Sequence, residues 1–223
     1  MQRAFILSFL RDLAANNNKA WMDAHRPDYH RARAEYTDFV AELIRGVQQQ
    51  EPDLLGLTPQ DVMFRINKND RFQQSDEPYK KHMGAGLKRG GRHSPWAGYF
   101  IALQPGGETY VGAGRWQPEA DQLARIRQEI HYNPTEFHAL RQSPDLLRHF
   151  PSGLDKSQAL KTAPKGYDRT DLDIEWLRLK SFFVWQSFSD KDVLRTDFPQ
   201  QVLAAWQAAQ PFVHFLNEAM AVE

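Results

Sequence analysis

Cysteine is absent from all 223 residues. That excludes disulfides, thiolate metal sites and thiol catalysis, and it is the usage expected of a reducing compartment. Net charge is absent too, with 28 Lys/Arg against 28 Asp/Glu. A general nucleic-acid binder is usually strongly basic, so nucleic acid is not the expected partner. No apolar run approaches the roughly 18 residues of a membrane span. The residues after Met1 read as a mixed helix, not as a charged-then-apolar leader. A soluble cytoplasmic protein with no membrane partner is therefore expected. Gly-x-Ser-x-Gly and His-Glu-x-x-His are both missing. Gly112-Ala113-Gly114 begins like a dinucleotide fingerprint but lacks the third glycine. His25 and His30 lie five apart, off the same-face helical spacing, and His131, His138 and His149 show no ligand spacing. Neither a metal nor a cofactor is expected.

What is present is ample core material: 41% hydrophobic residues, six Trp and fourteen Phe. Residues 3–15 carry Phe5, Ile6, Phe9, Leu10 and Leu13 at helical spacing. A second stripe runs from Tyr29 through Tyr36, Phe39, Val40 and Leu43 to Val47 behind a first-turn Pro27. Gly98–Leu103 and Thr109–Ala113 flank Pro105-Gly106-Gly107 and predict a hairpin. The glycine-rich basic run from Met83 to Arg92 reads as a mobile surface loop. Helices are predicted over 118–130, after Asn133-Pro134, after Ser143-Pro144, over 171–180 and from Pro199 onward. Pro211 should break or kink the last one. Ser181–Phe188 reads as a buried strand. No repeat or long linker interrupts the chain. The expectation is one α+β domain over 1–223, with a mostly antiparallel central sheet flanked by N- and C-terminal helices.

One stretch concentrates chemistry. Residues 64–80 set cations, amides and aromatics between an apolar start and a proline turn. Phe64 and Ile66 alternate with Arg65 and Asn67, so the first pair should face inward and the second outward. From Asp61 to Arg92 eight Lys/Arg face four Asp/Glu, a local +4 in a neutral chain. Arginine suits bidentate grip on phosphate or carboxylate. The plain alternative is that these are solvated surface charges paired to Asp70, Asp76 or Glu77, worth about 0–1 kcal/mol each. A second stretch, Leu160 to Tyr167, forms a rigid turn with lysines at its tip.

Phe64-Arg65-Ile66, Arg71-Phe72 and Pro78-Tyr79-Lys80 resemble the signature of a widespread bacterial and fungal family, a conserved domain of unknown function. Asn16-Asn17-Asn18 before Trp21 resembles its opening. Gly98-Tyr99, Pro105-Gly106 and Gly112 with Gly114 resemble its hairpin. Pro164-Lys165-Gly166-Tyr167-Asp168 and Lys180-Ser181-Phe182 resemble its C-terminal part. The resemblance spans nearly the whole chain and implies one domain and a shared site, with no activity or cofactor attached. It also implies acids where this chain has Asn69 and Ser75; here acids stand one place later, at Asp70 and Asp76.

The functional expectation is a small phosphate- or carboxylate-bearing ligand in a cleft lined by 64–80. Arg65, Arg71 and Lys80 would supply charge, Asn67 and Tyr79 hydrogen bonds, and Lys165 and Lys180 would close the far side. Catalysis stays open; Asp70 or Asp76 would serve as general base. A nucleic-acid or protein interaction module is the alternative, with Phe72, Tyr79, Trp96 and Tyr99 as stacking platforms. A third reading has no ligand site at all. No feature of the sequence sets an oligomeric state.

Overall fold

A computed structural model describes residues 2–68 and 77–221 of the chain. The first apolar stripe coils as helix α1 (Gln2–Ala15), with Ile6, Leu10 and Leu13 fully buried. Asn18 then accepts from the Trp21 backbone N–H and starts α2 (Lys19–Ala24). Pro27 lies in the first turn of α3 (Arg26–Val47), where its missing N–H costs no helical bond. The α3 stripe from Ala32 to Val47 is buried as its spacing predicts, and α1 packs along α3. A capping box between Thr58 and Asp61 opens the short α4 (Pro59–Val62).

Four strands form one antiparallel sheet: β1 (Met83–Leu87), β2 (Gly98–Leu103), β3 (Thr109–Arg115) and β4 (Phe182–Phe188). Their order in the sheet is their order in the chain. The expected hairpin is β2–β3. The mobile loop expected over 83–92 is corrected: its first half is β1, buried along its whole length. The glycines there serve packing. A Cβ on Gly84 would meet Phe100 at 3.3 Å, and one on Gly86 would meet Phe64 at 3.4 Å. Bare backbone lets both rings lie down on the strand.

The remaining helices are α5 (Ala120–Tyr132), α6 (Pro134–Arg141), α7 (Pro144–His149), α8 (Ile174–Leu177), α9 (Asp190–Val193) and α10 (Phe198–Met220). The helix expected over 171–180 shrinks to α8. Asp168 accepts from the Thr170 N–H and Asp171 from the Asp173 N–H, and these local bonds hold 168–173 in turns instead. Helix α10 runs on through Pro211, so the expected break does not occur. Pro211 is exposed, while Ala208, Ala209, Phe212 and Val213 around it are buried and carry the helix across the lost hydrogen bond. Among the described residues no helix is long and apolar enough to cross a membrane.

The chain divides into two compact units, neither of them contiguous. Unit 1 comprises residues 1–92, 100–111 and 187–203. In it, Phe39 stacks on Phe198 at 6.0 Å, and the Arg3 guanidinium reaches the Val193 and Arg195 carbonyls at 2.7 and 2.6 Å. Unit 2 comprises 93–99, 112–186 and 204–223. Its core joins Tyr99 to Trp206 and Phe137 to Phe215, at 5.5 and 5.9 Å between rings.

Two measurements check this account. Gly114 has φ +119°, and a Cβ there would fall on the Phe182 carbonyl. Gly114→Ala is expected to cost more than about 3 kcal/mol in a denaturant titration. Asp190 accepts from the Gly106 and Gly107 N–H groups at 3.1 and 3.0 Å and pairs with Arg11 at 3.2 Å. Burial pushes its pKa up, but the Gly107 and Gly106 donors and Arg11 outweigh that and hold it below the ordinary value. A depressed folded pKa gives stability that is present above the unfolded pKa of about 3.9 and lost as pH falls through the folded value. Asp190→Asn should therefore lower stability by about 1 kcal/mol at pH 6, with the gap to wild type closing below about pH 4.

Candidate functional site

The chain after α4 runs antiparallel to the chain that leads into β1. The Phe64 N–H donates to the Gly84 carbonyl at 2.9 Å, Lys80 N–H to Ile66 at 2.8 Å and Lys68 N–H to Pro78 at 2.9 Å. Bridges join Met63 to Ala85 and Asn67 to Tyr79. Four steps from Met63 to Asn67 thus oppose six from Tyr79 to Ala85, and the surplus around Lys81-His82 is a bulge. The bulge is why 63–68 holds isolated bridges where a regular strand was expected.

Alternation survives this. Ile66 is buried, and Arg65 and Asn67 are exposed, as the period-two pattern predicts. Tyr79 is buried at 7% exposure, and its backbone is gripped from both sides by one side chain. Asn17 donates Nδ2 to the Tyr79 carbonyl at 2.9 Å and accepts the Tyr79 N–H on Oδ1 at 3.0 Å. The Asn-rich opening and the Tyr79 segment are thus one clamp.

The charges sort themselves. Glu77 takes Lys81 at 2.8 Å and Lys68 at 3.5 Å. Hydrogen bonds from Lys81 lead in holding its pKa below the ordinary value. Lys80 is left to donate to the Arg65 carbonyl at 3.0 Å, with its ammonium 5.5 Å from the Phe64 ring centre. Burial first, and the Arg65 charge second, lower its pKa. Arg65 itself meets no carboxylate among the described residues. Arg71, Phe72, Asp70 and Asp76 lie outside the described residues.

Beside Phe64 is a hollow of about 10 Å³, lined by Tyr29, Arg33, Tyr36, Met63, Phe64, Ile66 and Met83. It has room for one water-sized group. Its polar lining comes from α3. Arg33 donates to the Tyr29 hydroxyl at 3.3 Å, and Tyr36 is 1% exposed with no hydrogen-bond partner for its hydroxyl among the described residues. Burial, then the nearby Tyr110 phenol, raise the Tyr36 pKa well above its ordinary value, so the hydroxyl stays a neutral donor. Tyr29 and Tyr36 were read from the sequence as core stripe, and Arg33 was not singled out. Their signal was the spacing Tyr29, Arg33, Tyr36, which puts a guanidinium between two phenols on one helix face.

Lys165 and Lys180 belong to unit 2, and both are exposed. The structure therefore gathers Asn67, Tyr79, Lys80 and Arg65 on one ladder. Tyr79 and Tyr99 are buried and offer no stacking face. No group of three or more His, Asp or Glu suited to a metal occurs among the described residues.

The model of a conserved hypothetical protein family, DUF2461, matches residues 5–215. The chain belongs to that family. The match takes in the Asn17–Tyr79 clamp, the ladder and the hollow, and it extends through the Pro164–Asp168 turn. No curated protein and no solved structure matches the chain.

The clamp yields a direct expectation. Asn17→Ala removes two hydrogen bonds at once and should cost roughly 1–3 kcal/mol in thermal or chemical unfolding. Amide exchange at Tyr79 should accelerate with it.

Proposed function

We propose that this protein binds a small phosphate- or carboxylate-bearing ligand in unit 1, one oxygen of the anion entering the hollow beside Phe64. The observation that supports this is the buried Tyr36 hydroxyl without a partner, next to the Arg33 guanidinium. A buried donor left unpaired costs about 1–3 kcal/mol. A ligand oxygen placed there removes that cost and meets a cation as well. The rest of the ligand lies outside the hollow, toward Lys80 and Arg65, the cations among the described residues of the segment that Glu77 does not take. Asn67 supplies a further hydrogen-bonding side chain from the same ladder. A cytoplasmic setting is part of this reading, supported by a chain without cysteine.

Thermal shift with inorganic phosphate, citrate and a nucleoside monophosphate tests the site. Wild type should gain several degrees with at least one of these. Tyr36→Phe should fold as well as wild type or better, because it deletes an unsatisfied group, yet lose about tenfold in affinity. Arg33→Met should lose more. Equal shifts in all three proteins would remove the site.

A further inference from the structure

Unit 2 holds two histidine–aspartate pairs, and they differ in what is left free. His138 approaches Asp173 with Nε2 at 2.6 Å, and its Nδ1 accepts from the Arg141 guanidinium at 2.9 Å. Arg141 in turn lies 4.2 Å over the Trp176 ring. Nδ1 of His138 is taken by Arg141 and its Nε2 is shut against a carboxylate that is 9% exposed, whose Oδ1 is close to it without a well-formed hydrogen bond.

His131 is placed otherwise. It lies in the last turn of α5, and its Nδ1 stands 2.7 Å from the Asp171 carboxylate. Asp171 is 11% exposed, and its other oxygen accepts the Asp173 N–H at 2.8 Å. The acid is thereby fixed on both sides. An acid against Nδ1 draws the imidazole proton to that nitrogen and leaves Nε2 with its lone pair. Nε2 has no partner among the described residues, and the side chain is 39% exposed. The Tyr167 ring meets the imidazole edge-on at 5.4 Å, and the Tyr132 ring at 5.0 Å. Arg127 acts electrostatically on Tyr167; its Nε is buried without a hydrogen-bond partner, while one terminal nitrogen donates to the Leu179 carbonyl. Burial leads in raising the Tyr167 pKa, so its phenol keeps its proton. Tyr167 and Lys165 come from the turn 164–168, which the site of unit 1 does not use.

We propose that unit 2 carries a second ligand site, built on His131, for a small hydroxyl-bearing anion. The ligand hydroxyl donates a hydrogen bond to His131 Nε2. Asp171 is the positioning residue: it holds the ring with Nε2 as the accepting nitrogen. Arg127 and the Tyr167 phenol face the anionic end. The proposal is independent of the site in unit 1.

Glycolate and acetate are the probes, because they differ by the hydroxyl that Nε2 would accept. Histidine Cε1–H resonances are followed by NMR in the Arg33→Met background, with His131→Gln providing the assignment. Glycolate at millimolar concentration should move the His131 resonance, acetate should move it at least tenfold less, and His138 should stay still. Asp171→Asn should weaken the glycolate response about tenfold; should that variant not fold, Tyr167→Phe is expected to weaken it severalfold. Equal responses to the two acids, or none at His131, would overturn the proposal.

Discussion

Much of this structure depends on side chains settling where another residue has none. Gly84 and Gly86 present bare backbone to the Phe100 and Phe64 rings. In unit 2, Gly112 and Gly114 do the same for Phe183 and the Phe182 backbone. Strand neighbours normally keep rings at a distance set by Cβ atoms. Removing those atoms brings aromatic surface onto the peptide plane itself. Phe64 is fixed by this contact, and Phe64 is one wall of the hollow where an anion oxygen is proposed to sit.

Reading the sequence recovered what depends on period. The α3 stripe and the outward set of Arg65 and Asn67 follow from spacings of 3.6 or 2, and the β2–β3 hairpin from its turn residues; β4 is the strand expected, but only Phe182–Val184 are buried and Trp185 is 43% exposed. The α+β class follows from them. What escaped depends on groups distant in sequence. Glycines in 83–92 look like loop residues until Phe100 and Phe64 are placed on them. Asn17 stands in the sequence as one of three asparagines before Trp21, yet its side chain closes on Tyr79. Asp171 and Asp173 fell within the helix expected over 171–180, yet they reach His131 and His138 on other helices. At Pro211 the helix is not broken, and buried residues stand on both sides of it.

The candidate site was legible in part. Arg65 and Asn67 face outward as the alternation predicts, but the pairing of 63–68 with the chain before β1 was not read, and the polar lining of the hollow comes from α3. A tyrosine in an apolar stripe carries no mark that its hydroxyl is unpaired; only the packed structure tells a satisfied phenol from a waiting one. Membership in DUF2461 covers both the ladder and the 164–168 turn, and the two proposals rest on one of these each.

Arg3 has a consequence for synthesis. Its guanidinium closes on carbonyls at 193 and 195, and Phe39 stacks on Phe198. Helices α1 and α3 thus find their partners among residues made much later, 190 positions on in the case of Arg3 and Val193. Until then α1 and α3 have an apolar flank with nothing to cover it. Such long-range closure is slow, and the nascent chain has reason to need a chaperone while it waits.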